Sequence, residues 1–239
     1  MNDLVLTLSG SIGAGKTSWG RKVAEHFGVE LLEEKVDGNP FLDKYYENPE
    51  KYSFHLQVYF LNHRFQAIKA ALKHPNTVLD RSIYEDAMIF AKLQYQNGSM
   101  DKDSYETYLA LHENMMQEIH DLYESNVILK KSPDLLIHLH GSFDEIQRRV
   151  AKRGRPFEQT EDNPELLQYY KDLHEMYVGF MDEYYSARIS PMYLLNIDEY
   201  SVDNPEDVAI VMADIEEVLR KTRGYAFPEE IKEGVEDVE

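Results

Sequence analysis

Eight consecutive residues, Gly10-Ser11-Ile12-Gly13-Ala14-Gly15-Lys16-Thr17, fit the pattern G-x-x-x-x-G-K-[ST]. Such a loop wraps an anion so that successive main-chain N–H groups point inward, and its glycines allow the close approach and the positive φ angles this needs. The helix that follows aims its positive end at the same anion. Lys16 has the reach for the outer phosphates of a nucleotide, and Thr17, with Ser18 beside it, offers a hydroxyl to the Mg²⁺ that accompanies them. A random chain of this length carries the pattern roughly once in a hundred at ordinary glycine usage. Here a strand-like run precedes it and a helix-like run follows, so phosphate binding is expected.

Further along lie groups that could act on a phosphoryl acceptor. Glu33-Glu34 and Asp80-Arg81-Ser82 both end strand-like runs, and the carboxyl ends of strands are where α/β sheets bind ligands. Moving a phosphoryl group to an alcohol needs a carboxylate near the attacking oxygen, an acid for the metal and positive charge over the transferring group. A Glu, an Asp and an Arg supply these, although the same residues also suit a helix cap with an ion pair. Arg148, Arg149, Lys152, Arg153 and Arg155 place five cations within eight residues. Like charges so close repel one another, so a polyanion such as ATP is the better account of them than a solvated helix face.

The elements that must position these groups alternate between strand and helix, the pattern of a parallel sheet covered on both faces. Strands are expected at Val5–Ser9, Val29–Glu33, Thr77–Asp80, Pro133–His140 and Met192–Ile197. Helices are expected from the loop to Phe27, then over Pro49–Leu72, Ile83–Gln94 and Asp101–Tyr123. Three more follow: one from the cap Ser142 to the basic cluster, then Pro164–Tyr185 and Pro205–Lys221. The whole reads as one α/β domain over residues 1–226, with a lid at about 148–160 and a flexible tail over 227–239 that holds six acids in thirteen residues.

The 239 residues carry 25 basic and 44 acidic side chains, a formal charge of −19. A surface of that sign disfavours nucleic acid polymers, whose binding depends on neutralising phosphates. With 43% hydrophobic residues the chain can form a core, and no 18-residue apolar run suggests a membrane span. The first residues lack the features of a signal peptide, and cysteine is absent. A cytoplasmic protein without disulfides or cysteine-held metals is expected.

Taken together, the chain resembles the deoxynucleoside kinase family from about residue 3 to residue 200. The resemblance rests on the phosphate loop, the Glu after the second strand, Tyr46-x-x-Pro49 leading to Gln57, Asp80-Arg81-Ser82, and the run ending Arg153-Gly154-Arg155. It implies a P-loop kinase fold with a five-stranded parallel sheet and an arginine-rich lid. It also implies ATP as phosphoryl donor, Mg²⁺, and the 5′-hydroxyl of a deoxynucleoside as acceptor. By the resemblance Glu34 is the general base, Arg81 holds that carboxylate and the reacting oxygen, and Asp80 lies on the metal side. Tyr46 meets the sugar, and Gln57 meets the edge of the base. Arg64 and Asp86 stand against the base, and Arg149, Arg153 and Arg155 cover the phosphates. Glu158 reaches the 3′-hydroxyl when the lid closes.

The family commonly has Glu-Pro where this chain has Glu34-Lys35, which leaves Glu33 as an alternative base, although spacing to Val36 favours Glu34. It often has Glu-Arg-Ser where this chain has Asp80, and a shorter carboxylate can still bind Mg²⁺ through a water. An Asp facing the base accepts from an exocyclic amino group, which disfavours thymidine. Deoxyadenosine is expected first, then deoxyguanosine or deoxycytidine. The resemblance also implies a homodimer. A nucleoside monophosphate kinase resembling thymidylate kinase is the main alternative, but its acceptor phosphate would call for cations, and residues 36–57 offer only Lys44 and Lys51. A nucleotide-driven switch would give a base, a metal acid and a lid no acceptor to work on.

Overall fold

The computed structural model describes residues 3–33 and 38–224. Glu34, Lys35 and Val36, and the acidic stretch 227–239, lie outside the described residues. Five parallel strands form one sheet in the order β2-β3-β1-β4-β5. They are β1 (Val5–Gly10), β2 (Glu30–Leu32), β3 (Thr77–Leu79), β4 (Leu135–His140) and β5 (Met192–Asn196). All five expected strands are present. β1 is central, with Leu6 beside Val78 of β3 and Leu8 beside Ile137 of β4. Strand order reverses around β1, so the loop leaving it opens into the crevice at the switch point.

Side-chain alternation divides the core. Leu4, Leu6 and Leu8 point to one face, where α1 (Lys16–Phe27) and α9 (Pro205–Arg223) pack through Trp19, Val23, Phe27, Val211, Ile215 and Leu219. Val5 and Leu79 point to the other face, against α3 (Pro49–Lys73) and α6 (Lys102–Glu124). There Leu61, Phe65, Ile68 and Leu72 of α3 recur at helical spacing and meet Tyr108 and Ile119 of α6. α8 (Pro164–Ser186) completes that face with Tyr170, Leu173, Tyr177 and Phe180 over Leu136 of β4. Strands buried on both sides explain their nearly continuous apolar sequence. No helix among the described residues is long and apolar enough to cross a membrane.

Helix starts follow a repeated device. Asn48, Asn163 and Asn204 each precede a proline at the first helical position, and each side-chain oxygen accepts a main-chain N–H of the first turn. The Asn satisfies a donor that the helix cannot, and proline has no N–H to leave stranded.

Two departures from the sequence expectation matter for the site. A short helix, α2 (Leu42–Glu47), was not anticipated. The segment expected as one helix over Ile83–Gln94 is instead α4 (Ile83–Glu85), a π-helical stretch Asp86–Ala91, and α5 (Lys92–Gln96). A four-residue step overshoots an α turn and falls short of the wider π turn. Mixing the two keeps Asp86, Phe90 and Gln94 on one wall of the cleft, while Ile89 and Leu93 pack toward α8.

Candidate active site

The cleft at the carboxyl ends of the strands encloses about 720 Å³. One end of it is the glycine-rich loop between β1 and α1. Gly10 has φ +142°, and a Cβ there would lie 2.7 Å from the Leu139 carbonyl oxygen. Gly13, at φ +87°, would collide with the Val150 side chain at 2.6 Å. Only glycine lets this loop turn so tightly against β4 and α7 (Phe143–Arg153). Lys16 is buried, and its Nζ donates to the carbonyls of Gly10 (2.7 Å) and Ser11 (3.0 Å). Thr17 Oγ1 donates to Asp80 Oδ2 at 2.6 Å. A hydroxyl and a carboxylate so close, both hard oxygen donors, fit a Mg²⁺ that arrives with a nucleotide and keeps several of its waters.

Arg149 ties the basic cluster to this end. Its guanidinium donates to the carbonyls of Ala14 (3.1 Å) and Ile197 (3.0 Å) and to Glu145 (2.6 Å). Glu145 also accepts from Arg148 Nε and Nη2, each at 2.7 Å. Hydrogen bonding from Arg148 in the first place holds Glu145 down at about 2. Two of the like charges expected to repel in the cluster are thus offset by one acid of the same helix.

The other end of the cleft is lined by polar, aromatic and charged side chains. Gln57, Phe60 and Arg64 of α3 line the cleft from one side, with Asp86 opposite. Arg64 pairs with Asp86, which is fully buried, and the guanidinium also lies 4.8 Å over the Phe60 ring. Gln57 is buried, and its Oε1 has no hydrogen-bond partner among the described residues. Arg81 stacks 4.9 Å over Phe90, and Nη1 donates to Tyr177 Oη at 2.8 Å.

The segment expected as a lid borders the cleft as well. After Gly154 ends α7 in a left-handed turn, Pro156–Glu158 make one 3₁₀ turn that brings Phe157 within 5.1 Å of the Tyr46 ring, centroid to centroid. Glu158 is buried and accepts from Arg153 Nη2 at 2.5 Å and Arg155 Nη1 at 3.4 Å. Tyr46 and Tyr170 flank it. Burial, and then its neighbour Tyr170, push the Tyr46 phenol well above its ordinary range.

The structure therefore gathers Lys16, Thr17, Tyr46, Gln57, Arg64, Asp80, Arg81, Asp86, Arg149, Arg153, Arg155 and Glu158 around one cleft. Glu33 lines it too, but is half exposed and accepts from Arg21 at 2.8 and 3.0 Å. Arg153 and Arg155, expected over phosphates, are paired with Glu158. Sequence reasoning passed over Glu85, Phe90, Glu145, Phe157 and Tyr177. Glu85 and Glu145 had a local signal, each standing three residues after a helix-capping serine, Ser82 and Ser142.

Comparison with known proteins gives consistent similarities. A family model described as deoxynucleoside kinase matches residues 6–220. A deoxyguanosine kinase of Lactobacillus johnsonii is 44% identical over 187 residues, covering 78% of this chain and 80% of that protein. A deoxyadenosine kinase of Lactobacillus acidophilus is 40% identical over 218 residues, covering 91% of this chain and 97% of that protein. Among solved structures, a deoxyadenosine kinase from M. mycoides with bound dCTP superposes with a TM-score of 0.69 at 27% identity, covering 90% of this chain and all of that one.

Proposed function

The chain belongs to the deoxynucleoside kinase family, and from that premise we propose that it transfers the γ-phosphoryl group of ATP to the 5′-hydroxyl of a purine deoxynucleoside. The observation that carries this reading is the continuity of the cleft. A phosphate loop at one end and the Arg64–Asp86 pair with Gln57 at the other line the same 720 Å³. A donor and an acceptor would lie in it end to end.

In this reading the loop N–H groups and Lys16 grip the triphosphate. Thr17 and Asp80 would hold Mg²⁺, which would supply positive charge against the phosphates. Arg149, Arg153 and Arg155 add positive charge over the transferring group as the lid closes. Glu34 takes the proton of the 5′-hydroxyl, and Arg81 orients the reacting oxygen. Tyr46 and Glu158 face the sugar. Asp86 accepts from an amino group on the base while Arg64 donates to a neighbouring acceptor, a pairing that thymine does not match. We also propose a homodimer, which light scattering after gel filtration would test.

The functional test uses labelled ATP, Mg²⁺ and each deoxynucleoside or deoxynucleoside monophosphate in turn. Label should appear in a 5′-monophosphate. Label found only in a diphosphate, made from an acceptor already phosphorylated, would overturn the proposal in favour of a monophosphate kinase.

A further inference from the structure

Against Arg81 and the first glycine of the phosphate loop lies a carboxylate that none of the roles above uses. Glu85 is 0% exposed. A buried carboxylate is tolerated only when its lone pairs are filled and its charge is balanced, and here they are. Oε2 accepts from Ser82 N at 2.9 Å. Oε1 accepts from Tyr177 Oη at 2.6 Å, Arg81 Nη1 at 3.1 Å and Gly10 N at 3.2 Å.

Helix capping accounts for the Ser82 bond and for nothing else in this set. Oε1 turns away from α4 toward β1 and α8, and its partners Gly10 and Tyr177 are 75 and 92 positions away in sequence. Two of its three donors belong to the transfer machinery. Gly10 opens the phosphate loop, and Arg81 is the guanidinium assigned to the reacting oxygen. Tyr177 closes the arrangement, since its hydroxyl accepts from Arg81 at 2.8 Å while donating to Glu85. Phe90 lies against the face of the guanidinium, which leaves Arg81 little freedom to turn. Burial raises the Tyr177 phenol well above its ordinary range, so it remains a donor across the working pH of an enzyme.

We propose that Glu85 and Tyr177 are positioning residues for phosphoryl transfer, fixing the guanidinium of Arg81 relative to the first glycine of the phosphate loop. The donor cradle and the group that orients the acceptor are then one rigid unit, and the distance between the two reactants does not depend on a flexible arginine side chain. The inference rests on the functional reading above and adds to it the parts that hold Arg81 in place.

The test is steady-state kinetics of the full chain with ATP, Mg²⁺ and its preferred deoxynucleoside, together with thermal melting of each variant. Tyr177→Phe keeps the ring and the ion pair. It should lower kcat by about 10-fold and leave both KM values within about 3-fold, because misplacing a reacting group costs rate rather than binding. Glu85→Gln should lower kcat by about 10²-fold. In an Arg81→Lys background, Tyr177→Phe should add less than about 2-fold, since residues acting as a unit are not additive.

A purely structural role predicts a lower melting temperature with kcat unchanged, and that result for Tyr177→Phe would overturn the proposal. Full additivity with Arg81→Lys would overturn it as well. If Glu85→Gln does not fold, Tyr177→Phe and the double variant decide alone. A wild-type protein inactive on every deoxynucleoside would overturn the functional reading and this inference with it. An active wild type with indifferent variants would overturn only the inference.

Discussion

The two ends of the cleft are built from different materials. At the donor end the contacts come from main-chain groups within eight consecutive residues, framed by glycines that no other residue can replace. At the acceptor end they come from side-chain charges paired across long stretches of sequence. Arg64 pairs with Asp86, Arg81 with Glu85, and Arg153 and Arg155 with Glu158. A main-chain site depends on local geometry and tolerates changes elsewhere. A site made of buried pairs can discriminate sharply among acceptors, but it is sensitive to change, because removing one member leaves a buried charge less well balanced.

The contrast is open to attack in order of expected effect. At the donor end, Lys16→Ala should lower kcat/KM on the order of 10³-fold with the melting temperature nearly unchanged, as the proposed role of Lys16 on the transferring charge requires. A large loss of stability instead would mean that Lys16 holds the loop rather than the nucleotide. At the acceptor end the signature should be reversed. Arg64→Met removes the guanidinium paired with fully buried Asp86 and should cost about 3–5 kcal/mol in urea unfolding. Arg64→Met combined with Asp86→Leu should recover most of that stability while losing discrimination among bases. If the double variant is as unstable as the single, packing rather than charge sets the cost.

A smaller effect separates the ends by pH. His138 lies buried beside the phosphate loop, shares a 3.0 Å hydrogen bond with Ser9, and is pushed down to about 3, first by burial and then by His140 and Lys16. Below its ordinary value of 6.5 the unfolded chain takes up a proton that the folded chain refuses. The stability contributed by neutral His138 is therefore complete above that value and is lost as pH falls toward about 3. Between pH 6.5 and about pH 5 the loss should reach about 2 kcal/mol, and His138→Gln should flatten that part of the profile. The smallest effect belongs to the surface. Glu118→Gln removes the half-exposed partner of Lys69 and should change stability by less than about 1 kcal/mol.

The same division explains what could be read from the sequence. The five strands and most helices announce themselves through apolar runs and helical spacing, and the loop through its own residues. α2 gave no such signal, because Tyr45 is its one buried residue. The π stretch Asp86–Ala91 uses residue types that suit an α-helix equally well, so only packing on both sides reveals it. Asp86 and Arg64 could be assigned roles only through resemblance, and the link from Glu85 to Tyr177 spans 92 positions with no local trace. The basic run was read as a surface for phosphates alone. The structure shows why that is incomplete: buried Glu158 needs cations of its own and draws Arg153 and Arg155.

The central claim is that buried side-chain pairs at the acceptor end choose the substrate. It is tested most directly by measuring kcat/KM for deoxyadenosine, deoxyguanosine, deoxycytidine and thymidine side by side, with ATP and Mg²⁺ saturating. Leaving a buried polar pair unmatched predicts thymidine at least ~10²-fold below the best purine deoxynucleoside. Thymidine used as well as the best purine would contradict the account.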